Sequence, residues 1–143
     1  MNQGAASYQY QSALRVADSD VHSNADKAAV LLEVAMGIGH NAPSANDHSL
    51  SIALLERALI LPALDRDQKA SIELQLASSL FHHTLADEAG LQRIEGLLLA
   101  ATASPDSETS ADAFMLRGLV LQTLAIECGH DYREAVASYD KAL

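Results

Sequence analysis

The histidines are the residues of this sequence whose type most readily suggests chemistry. His82 and His83 are adjacent, and His40 lies 42 residues before His82. Adjacent residues on a helix point about 100° apart, whereas helical zinc sites use histidines one turn apart. The spacing therefore argues against a metal site. We interpret these side chains as histidines at helix ends, with partner contacts in a shared groove as the alternative.

The other candidates for chemistry lack the groups that a reaction needs. Cys128 and His130 could form a nucleophile and a base, but nothing nearby in the sequence orients the base or binds an oxyanion. The segment 37–40, Gly-Ile-Gly-His, lacks the Lys-Ser/Thr of a phosphate loop. The carboxylates of 65–67 and 87–88 lie at predicted helix starts, where acids complement the helix dipole. We expect no catalytic site, no metal and no cofactor.

Composition narrows the classes of function. Hydrophobic residues make up 49% of the 143 residues but aromatic residues only 4%, which favours tightly packed helices of Leu, Ala, Val and Ile. The net charge is -10, and the basic residues are scattered singly. Phosphate binding needs clustered Lys and Arg, so direct binding of nucleic acid is disfavoured. The acidity is interpreted as a source of solubility, with a preference for basic peptides as the alternative.

The sequence also bears on where the protein works. Its single cysteine excludes a disulfide framework. The first residues lack the basic start and apolar core of a signal peptide, and no uncharged apolar run reaches about 18 residues. These features predict a soluble intracellular protein, cytoplasmic by default, without a membrane partner.

Apolar residues recur at helical spacing in seven stretches, and no stretch is a convincing strand. Gly37 and Gly39 are predicted to end the second helix, before a loop over 41–47. The seven predicted helices span 6–17, 26–39, 48–61, 67–84, 90–103, 111–125 and 131–143. The predicted N-terminal caps are Asn46 or Asp47 for the third helix, Asp65 or Asp67 for the fourth, Thr109 with Asp112 for the sixth, and Asp131 with Glu134 for the last.

The last third of the chain, 111–143, reads as a helix, a short break over 126–130 and a second helix. Small residues, Gly118, Ala135 and Ala142, occur where the two helices must approach closely. Larger apolar side chains lie one turn away, at Phe114, Leu121 and Tyr139. This unit resembles a tetratricopeptide (TPR) repeat, in which two antiparallel helices form one stacking unit.

Earlier parts of the chain look like further copies of this unit. Alanines recur at positions 13, 58, 100 and 142, and Val34-Ala35, Leu76-Ala77 and Arg117-Gly118 recur on the preceding helices. The period near 42 exceeds the usual TPR period of about 34 residues, and we assign the excess to loops such as 126–130. Arg93 departs from the pattern, because the final pair has the small Ala135 at that position.

The repeat implies a fold. One helix pair cannot bury both of its faces, so consecutive pairs must stack. We predict an all-α domain over 1–143: a TPR-like right-handed superhelix of antiparallel helix pairs with about seven helices, which we interpret as part of a longer array. An ordinary helical bundle is the alternative. We also expect an exposed apolar face on the last helix, where an array normally carries a next repeat or a capping helix.

The resemblance to TPR proteins also implies a binding surface, because the first helix of each pair lines the concave face of such arrays. That surface mixes apolar and neutral polar groups and lacks the Lys and Arg clamp that holds a C-terminal carboxylate. It therefore suits an extended or helical peptide. The predicted groove residues are Leu32, Met36, His40, Leu74, Ser78, Phe81, His82, Met115, Leu119, Gln122 and Thr123.

One segment carries a narrower resemblance. Residues 74–84, Leu-Gln-Leu-Ala-Ser-Ser-Leu-Phe-His-His-Thr, resemble an early repeat in the TPR subunits of the eukaryotic cohesin loader, and the likeness extends over about 55–84. Members of that family are much longer. The resemblance implies a nuclear scaffold without catalysis, an N-terminal fragment or a short version. It would wrap the N-terminal extended segment of the large HEAT-repeat loader subunit, in cohesin loading and sister chromatid cohesion.

Two other functions stay open. A generic cytoplasmic or bacterial TPR adaptor would have the same groove and a different partner. A small helical enzyme or regulator would instead use the histidines.

Overall fold

A computed structural model describes residues 3–40, 44–84 and 86–143. This part of the chain contains seven α-helices and no strand, which confirms the prediction of an all-α protein. The helices are α1 (Gln3–Ala17), α2 (Asn24–His40), α3 (Ala45–Leu59), α4 (Arg66–His83), α5 (Glu88–Ala101), α6 (Ser107–Cys128) and α7 (Arg133–Ala142). Of the loop predicted over 41–47, residues 41–43 lie outside the described residues, and residues 45–47 belong to α3.

The sequence predicts that Gly37 and Gly39 end α2, but they do not. The helix continues through Gly37 and Gly39 to His40. An added Cβ at Gly39 would lie 3.2 Å from the Ser51 Oγ atom of α3. The absence of a side chain at Gly39 thus allows α3 to approach α2, and this role in packing replaces the predicted role in termination.

The break between the last two helices is shorter than predicted. Residues 126–128 extend α6, and Gly129 closes it in the left-handed region at φ 74°. The backbone N–H groups of Gly129 and His130 both donate to the Leu124 carbonyl oxygen. Glycine adopts this conformation at little cost, which is why it commonly follows the last residue of a helix.

Acidic and hydroxyl side chains cap the helices, but not always at the predicted residue. Asp65 caps α4 by accepting from the Gln68 N–H at 2.7 Å, which confirms one of the two predicted candidates. Ser44 caps α3, so the prediction of Asn46 or Asp47 is wrong. Asp87 caps α5 through the Gly90 N–H at 2.8 Å.

The last two predicted capping boxes are also wrong. Asp106 caps α6 and accepts from both the N–H and the hydroxyl of Thr109. The helix therefore begins before the predicted box of Thr109 and Asp112. Tyr132 occupies the cap position of α7 without a side-chain bond to the helix. Asp131 instead accepts from the Arg133 N–H, two residues along the chain.

Each helix packs against the next one in the sequence. The most extensive contacts join α2 with α3 and α6 with α7, followed by α4 with α5. In addition, α2, α4 and α6 lie side by side, and α1 contacts α3. These contacts group six helices into three pairs: α2 with α3, α4 with α5, and α6 with α7. The first helices of the three pairs, α2, α4 and α6, lie next to one another.

The core consists of two main clusters that meet at α4. One joins buried residues of α1, α2 and α3 with Ile72 and Leu76 of α4. The other joins Ala77 of α4 with buried residues of α5, α6 and α7. Leu80 and Leu97 pack against both clusters. Helix α4 is thus the element that connects the two halves of the core.

The small residues on the first helices are buried as the repeat predicts. Ala35, Ala77 and Gly118 have almost no exposed surface. At Gly118 the Tyr139 ring of α7 lies so close that an added Cβ would be 2.6 Å from the Tyr139 Cε1 atom. The close approach predicted for the last pair is therefore present.

The repeat shifts by one residue in α5. Ala13 and Ala58 are buried, but Ala100 is exposed, and the neighbouring Ala101 is buried in its place. Arg93 does not enter the core either, since its guanidinium lies 3.0 Å from the Glu56 carboxylate on α3. The prediction that Ala100 holds the repeat position is wrong.

The outer face of the last helix is apolar in part. Tyr132 and Val136 are about half exposed, and Leu143 is almost fully exposed. Of the three, only Val136 belongs to α7, so the exposed apolar face expected on the last helix is limited to one large side chain within the helix itself.

Candidate functional site

Three cavities lie along the surface where α2, α4 and α6 run side by side. The first, of about 470 Å³, is lined by the N-terminal part of α4 and the middle of α2. The second, of about 370 Å³, lies between the C-terminal parts of α2 and α4 and reaches Ser51 of α3. The third, of about 330 Å³, lies between α4 and α6. We call this surface the α2–α4–α6 groove.

Shared side chains show that the three cavities form one continuous surface. Met36 lines both cavities between α2 and α4. Gln75 and Ser78 line the second cavity and also the third, across α4. The three cavities are therefore adjacent along α2, α4 and α6.

Most of the predicted groove residues line these cavities. Eight of the eleven do so, and all eight belong to α2, α4 or α6, the first helices of their pairs. They are Leu32, Met36, His40, Leu74, Ser78, His82, Met115 and Leu119. His40 and His82 thus share a surface, although they line different cavities. Their contact with a partner remains a prediction.

Three predicted positions do not line the cavities, because other contacts hold their side chains. Phe81 is half-buried and packs against the second core cluster. Gln122 accepts a hydrogen bond from the Tyr139 hydroxyl at 2.8 Å, so its amide is directed toward α7. The Thr123 hydroxyl donates to the Leu119 carbonyl oxygen of its own helix.

Sequence reasoning missed the polar residues beside the predicted ones. All of them except Asp67, Gln68 and His83 lie three or four positions from a predicted groove residue and so share its helix face. Adding the neighbours at this spacing would have found most of them. The missed lining residues of α2, α4 and α6 include Ala29, Glu33, Gly39, Asp67, Gln68, Ser71, Gln75, Ser79, His83, Asp112 and Leu116.

The charges of the groove are acidic. Glu33 and Asp67 line the first cavity, and Asp112 lines the third. Among the described residues that line the three cavities, none is Lys or Arg. His40 and His83 line the second cavity, and His82 lines the third together with Asp112.

Two imidazole rings stack at the C-terminal end of α4. The rings of His48 and His83 are parallel within 10°, with centroids 3.6 Å apart, and the His82 ring lies 6.4 Å from that of His83. Desolvation lowers the pKa of His83, and the neighbouring His48 and His82 lower it further. The neutral form of His83 is therefore favoured, as close stacking requires.

The groups that could hold a metal or act as a nucleophile are not arranged to do so. Within 3–40, 44–84 and 86–143, no group of three or more His, Cys, Asp and Glu side chains could hold a metal ion. Desolvation raises the pKa of Cys128, with further contributions from Glu88 and Glu127. A raised pKa disfavours the thiolate, which is the nucleophilic form. His130 instead lies 2.7 Å from the Glu88 carboxylate.

One buried carboxylate lies beside the groove. Asp47 is 1% exposed, and neither of its carboxylate oxygens has a hydrogen-bond partner among the described residues. It lies one turn before Ser51, whose hydroxyl donates to the Ala35 carbonyl oxygen at 2.6 Å. The predicted role of Asp47 as a cap is taken by Ser44, and Asp47 does not line the three cavities.

None of the described helices is long and apolar enough to cross a membrane. Comparison of the chain with protein-family models, with curated proteins and with solved structures finds no match. The function is therefore inferred from the α2–α4–α6 groove.

Proposed function

We propose that this protein is a non-catalytic helical-repeat scaffold of the TPR type, and that its α2–α4–α6 groove binds an extended segment of a protein partner. The observation that carries this proposal is the continuous row of three cavities on adjacent helices. Large apolar side chains are exposed there: Met36 is 46% exposed, Met115 42% and Leu119 40%. Exposed apolar side chains in a groove with polar neighbours are typical of peptide-binding surfaces.

Contacts within the helix pairs support the assignment to stacked repeats. In the pair α2–α3 the Ser51 hydroxyl donates to the Ala35 carbonyl oxygen, and in the pair α6–α7 the Ser138 hydroxyl donates to the Phe114 carbonyl oxygen at 2.8 Å. The same type of bond thus joins the second helix to the first in two pairs. A small rotation from pair to pair would give the right-handed superhelix that we propose.

The shape of the groove favours a peptide over a single small ligand. Three connected cavities of similar size can each accept one or two side chains of an extended chain. Pockets for side chains combined with polar groups for the backbone are the usual means of recognising extended segments.

The proposal is tested by capture of partners from an extract of the native organism. Met36→Glu and Met115→Glu each replace an exposed groove side chain by a charged one, and Leu99→Glu is the control on α5, where Leu99 is 51% exposed. We expect the partner to bind the unmodified protein and the control, and to bind each groove variant about tenfold more weakly or worse. A partner that binds all four proteins equally would refute the groove.

The narrower proposal is membership of the cohesin loader, where the protein would act in the nucleus. It rests on the resemblance of residues 55–84 alone. Its test is direct binding to the N-terminal segment of the large HEAT-repeat loader subunit, measured with purified components. Failure to bind that segment, with capture of another partner through the groove, would instead favour a generic adaptor. Turnover of a substrate that is lost on His82→Ala would be required for the enzyme hypothesis.

A further inference from the structure

We infer that the α2–α4–α6 groove selects basic segments: extended stretches in which Lys or Arg side chains flank apolar anchors. The inference rests on the proposed function and names the chemistry of its partner. It is carried by the charges of the groove and by the type of its exposed apolar residues.

The acids of the groove are available to a ligand. Ion pairs elsewhere in the described part of the chain use Arg57, Arg93, Arg117, Arg133 and His130, and none of them involves Glu33, Asp67 or Asp112. Within the described residues, the Asp67 carboxylate accepts one hydrogen bond, from the Ser104 hydroxyl at 3.3 Å. Basic side chains therefore pair with acids elsewhere in the described chain, whereas the three groove acids have no such partner.

Charge complementarity follows from this arrangement. Three carboxylates with no lining Lys or Arg give the groove a negative potential, and the net charge of -10 strengthens it. A ligand with Lys or Arg gains attraction at both ends of the groove, because Glu33 and Asp67 lie between α2 and α4 whereas Asp112 lies on α6. An acidic segment would be repelled, which gives selectivity as well as affinity.

Gln68 lines the first cavity with an amide that is held in place. Its Nε2 atom donates to the Ala25 carbonyl oxygen at 3.0 Å, which fixes the amide. Its Oε1 atom is buried and has no hydrogen-bond partner in the described part of the chain. A buried acceptor without a partner is costly, but this oxygen has no surface that a ligand could contact.

The apolar anchors of the ligand would meet adaptable side chains. The chain has three methionines, and the two that follow Met1, Met36 and Met115, both line the groove. Methionine is unbranched and polarizable, so it can adjust to apolar side chains of different shapes. We therefore expect selectivity to come from the charges more than from the anchors.

The test starts from a displayed library of random peptides about 12 residues long, which reach roughly 40 Å when extended. This length spans three helix axes about 10 Å apart. We expect the unmodified protein to enrich peptides that carry a net positive charge together with apolar residues. Enrichment of neutral or acidic peptides, or no enrichment at all, would overturn the inference.

Affinities of the most enriched peptide, measured by fluorescence anisotropy, provide the matched comparison. Glu33→Lys combined with Asp67→Lys should weaken binding about tenfold or more, and Asp112→Lys should weaken it independently. Asp20→Lys combined with Asp140→Lys changes the net charge equally at exposed positions outside the groove, and it should change affinity by about twofold at most. Equal losses in both double variants would overturn the selective role of the groove acids.

The same measurements separate this inference from the proposed function. Enriched peptides without a charge preference whose binding is lost on Met36→Glu would leave the groove in place and refute its selectivity. Enriched peptides that are insensitive to Met36→Glu and to Met115→Glu would refute both.

Discussion

At the scale of single residues, one contact sets how closely the last two helices approach. The Tyr139 ring lies on the bare backbone of Gly118, and its hydroxyl donates to the Gln122 amide oxygen at 2.8 Å. The ring is thus held at both ends by α6. Burial raises the pKa of the Tyr139 hydroxyl, with a smaller contribution from Tyr132, so the hydroxyl remains a donor at neutral pH.

Gly118→Ala should destabilise the protein because the new methyl group would collide with the Tyr139 ring. We expect a loss of about 1–3 kcal/mol in the free energy of unfolding, measured with urea. Gly96→Ala is the matched control, since a Cβ at that exposed position on α5 meets nothing within 4 Å. The control should stabilise the helix by up to about 1 kcal/mol. Equal effects of the two substitutions would contradict the proposed contact.

A second residue links stability to pH. Glu73 is buried on α4, and desolvation raises the pKa of its carboxyl group, partly offset by Lys69. Because the folded pKa lies above the unfolded one, the associated stability is present below the unfolded pKa and is lost as pH rises through the folded pKa. Folding therefore favours the neutral carboxyl group.

Glu73→Gln should accordingly stabilise the protein at pH 7 by up to about 1 kcal/mol, because the amide carries no charge to desolvate. The gain should shrink as the pH falls toward the ordinary pKa of a glutamate. Urea unfolding at several pH values measures it, with Glu33→Gln as the control at an exposed position of α2. A gain that is constant with pH would show that the charge of Glu73 is not its cause.

At the scale of elements, α4 has a role that its apolar periodicity does not reveal. Ile72 and Leu76 complete the first core cluster, and Ala77 belongs to the second. Neighbouring residues on one helix therefore face different halves of the molecule. The ends of α4 also line two edges of the groove, with Asp67 near its start and His83 at its end.

Leu76→Ala should weaken both halves, although Leu76 belongs to the first cluster only. We expect a loss of about 2–5 kcal/mol and faster amide hydrogen exchange in α2 and α3 as well as in α5 and α6. Leu31→Ala is the matched control, because Leu31 is equally buried but lies on α2; its effect on exchange should be largest in the first half. Faster exchange confined to α2 and α3 in the Leu76 variant would contradict the connecting role of α4.

The elements also show which features the sequence could predict. All seven helices follow from apolar residues at helical spacing, because burial of one face determines their existence. The residue that caps α3 could not be predicted from the sequence, because Ser44, Asn46 and Asp47 can all accept from backbone N–H groups. Which of them does so depends on where the backbone turns into the helix. In α5, residues 100 and 101 are both alanine, so the sequence does not indicate which of the two is buried at the repeat position.

At the scale of the whole molecule, the helix faces that form the groove were predictable, whereas the charge pairing was not. A register based on Ala35, Ala77 and Gly118 identified eight of the lining residues, because the small buried residues fix which face of each helix is inward. Ion pairs between helices, such as that of Arg117 and Glu95 at 2.7 Å, join residues 22 positions apart. Their partners depend on helix orientation, which periodicity alone does not specify.

The order of packing has a consequence for how the protein is made. Every contact between helices in the described ranges joins elements that are one or two places apart along the chain. Such low contact order allows rapid folding, because no segment must wait for a distant one. Each helix pair can therefore form on a segment already released by the ribosome, so that the nascent chain completes its groove one wall at a time.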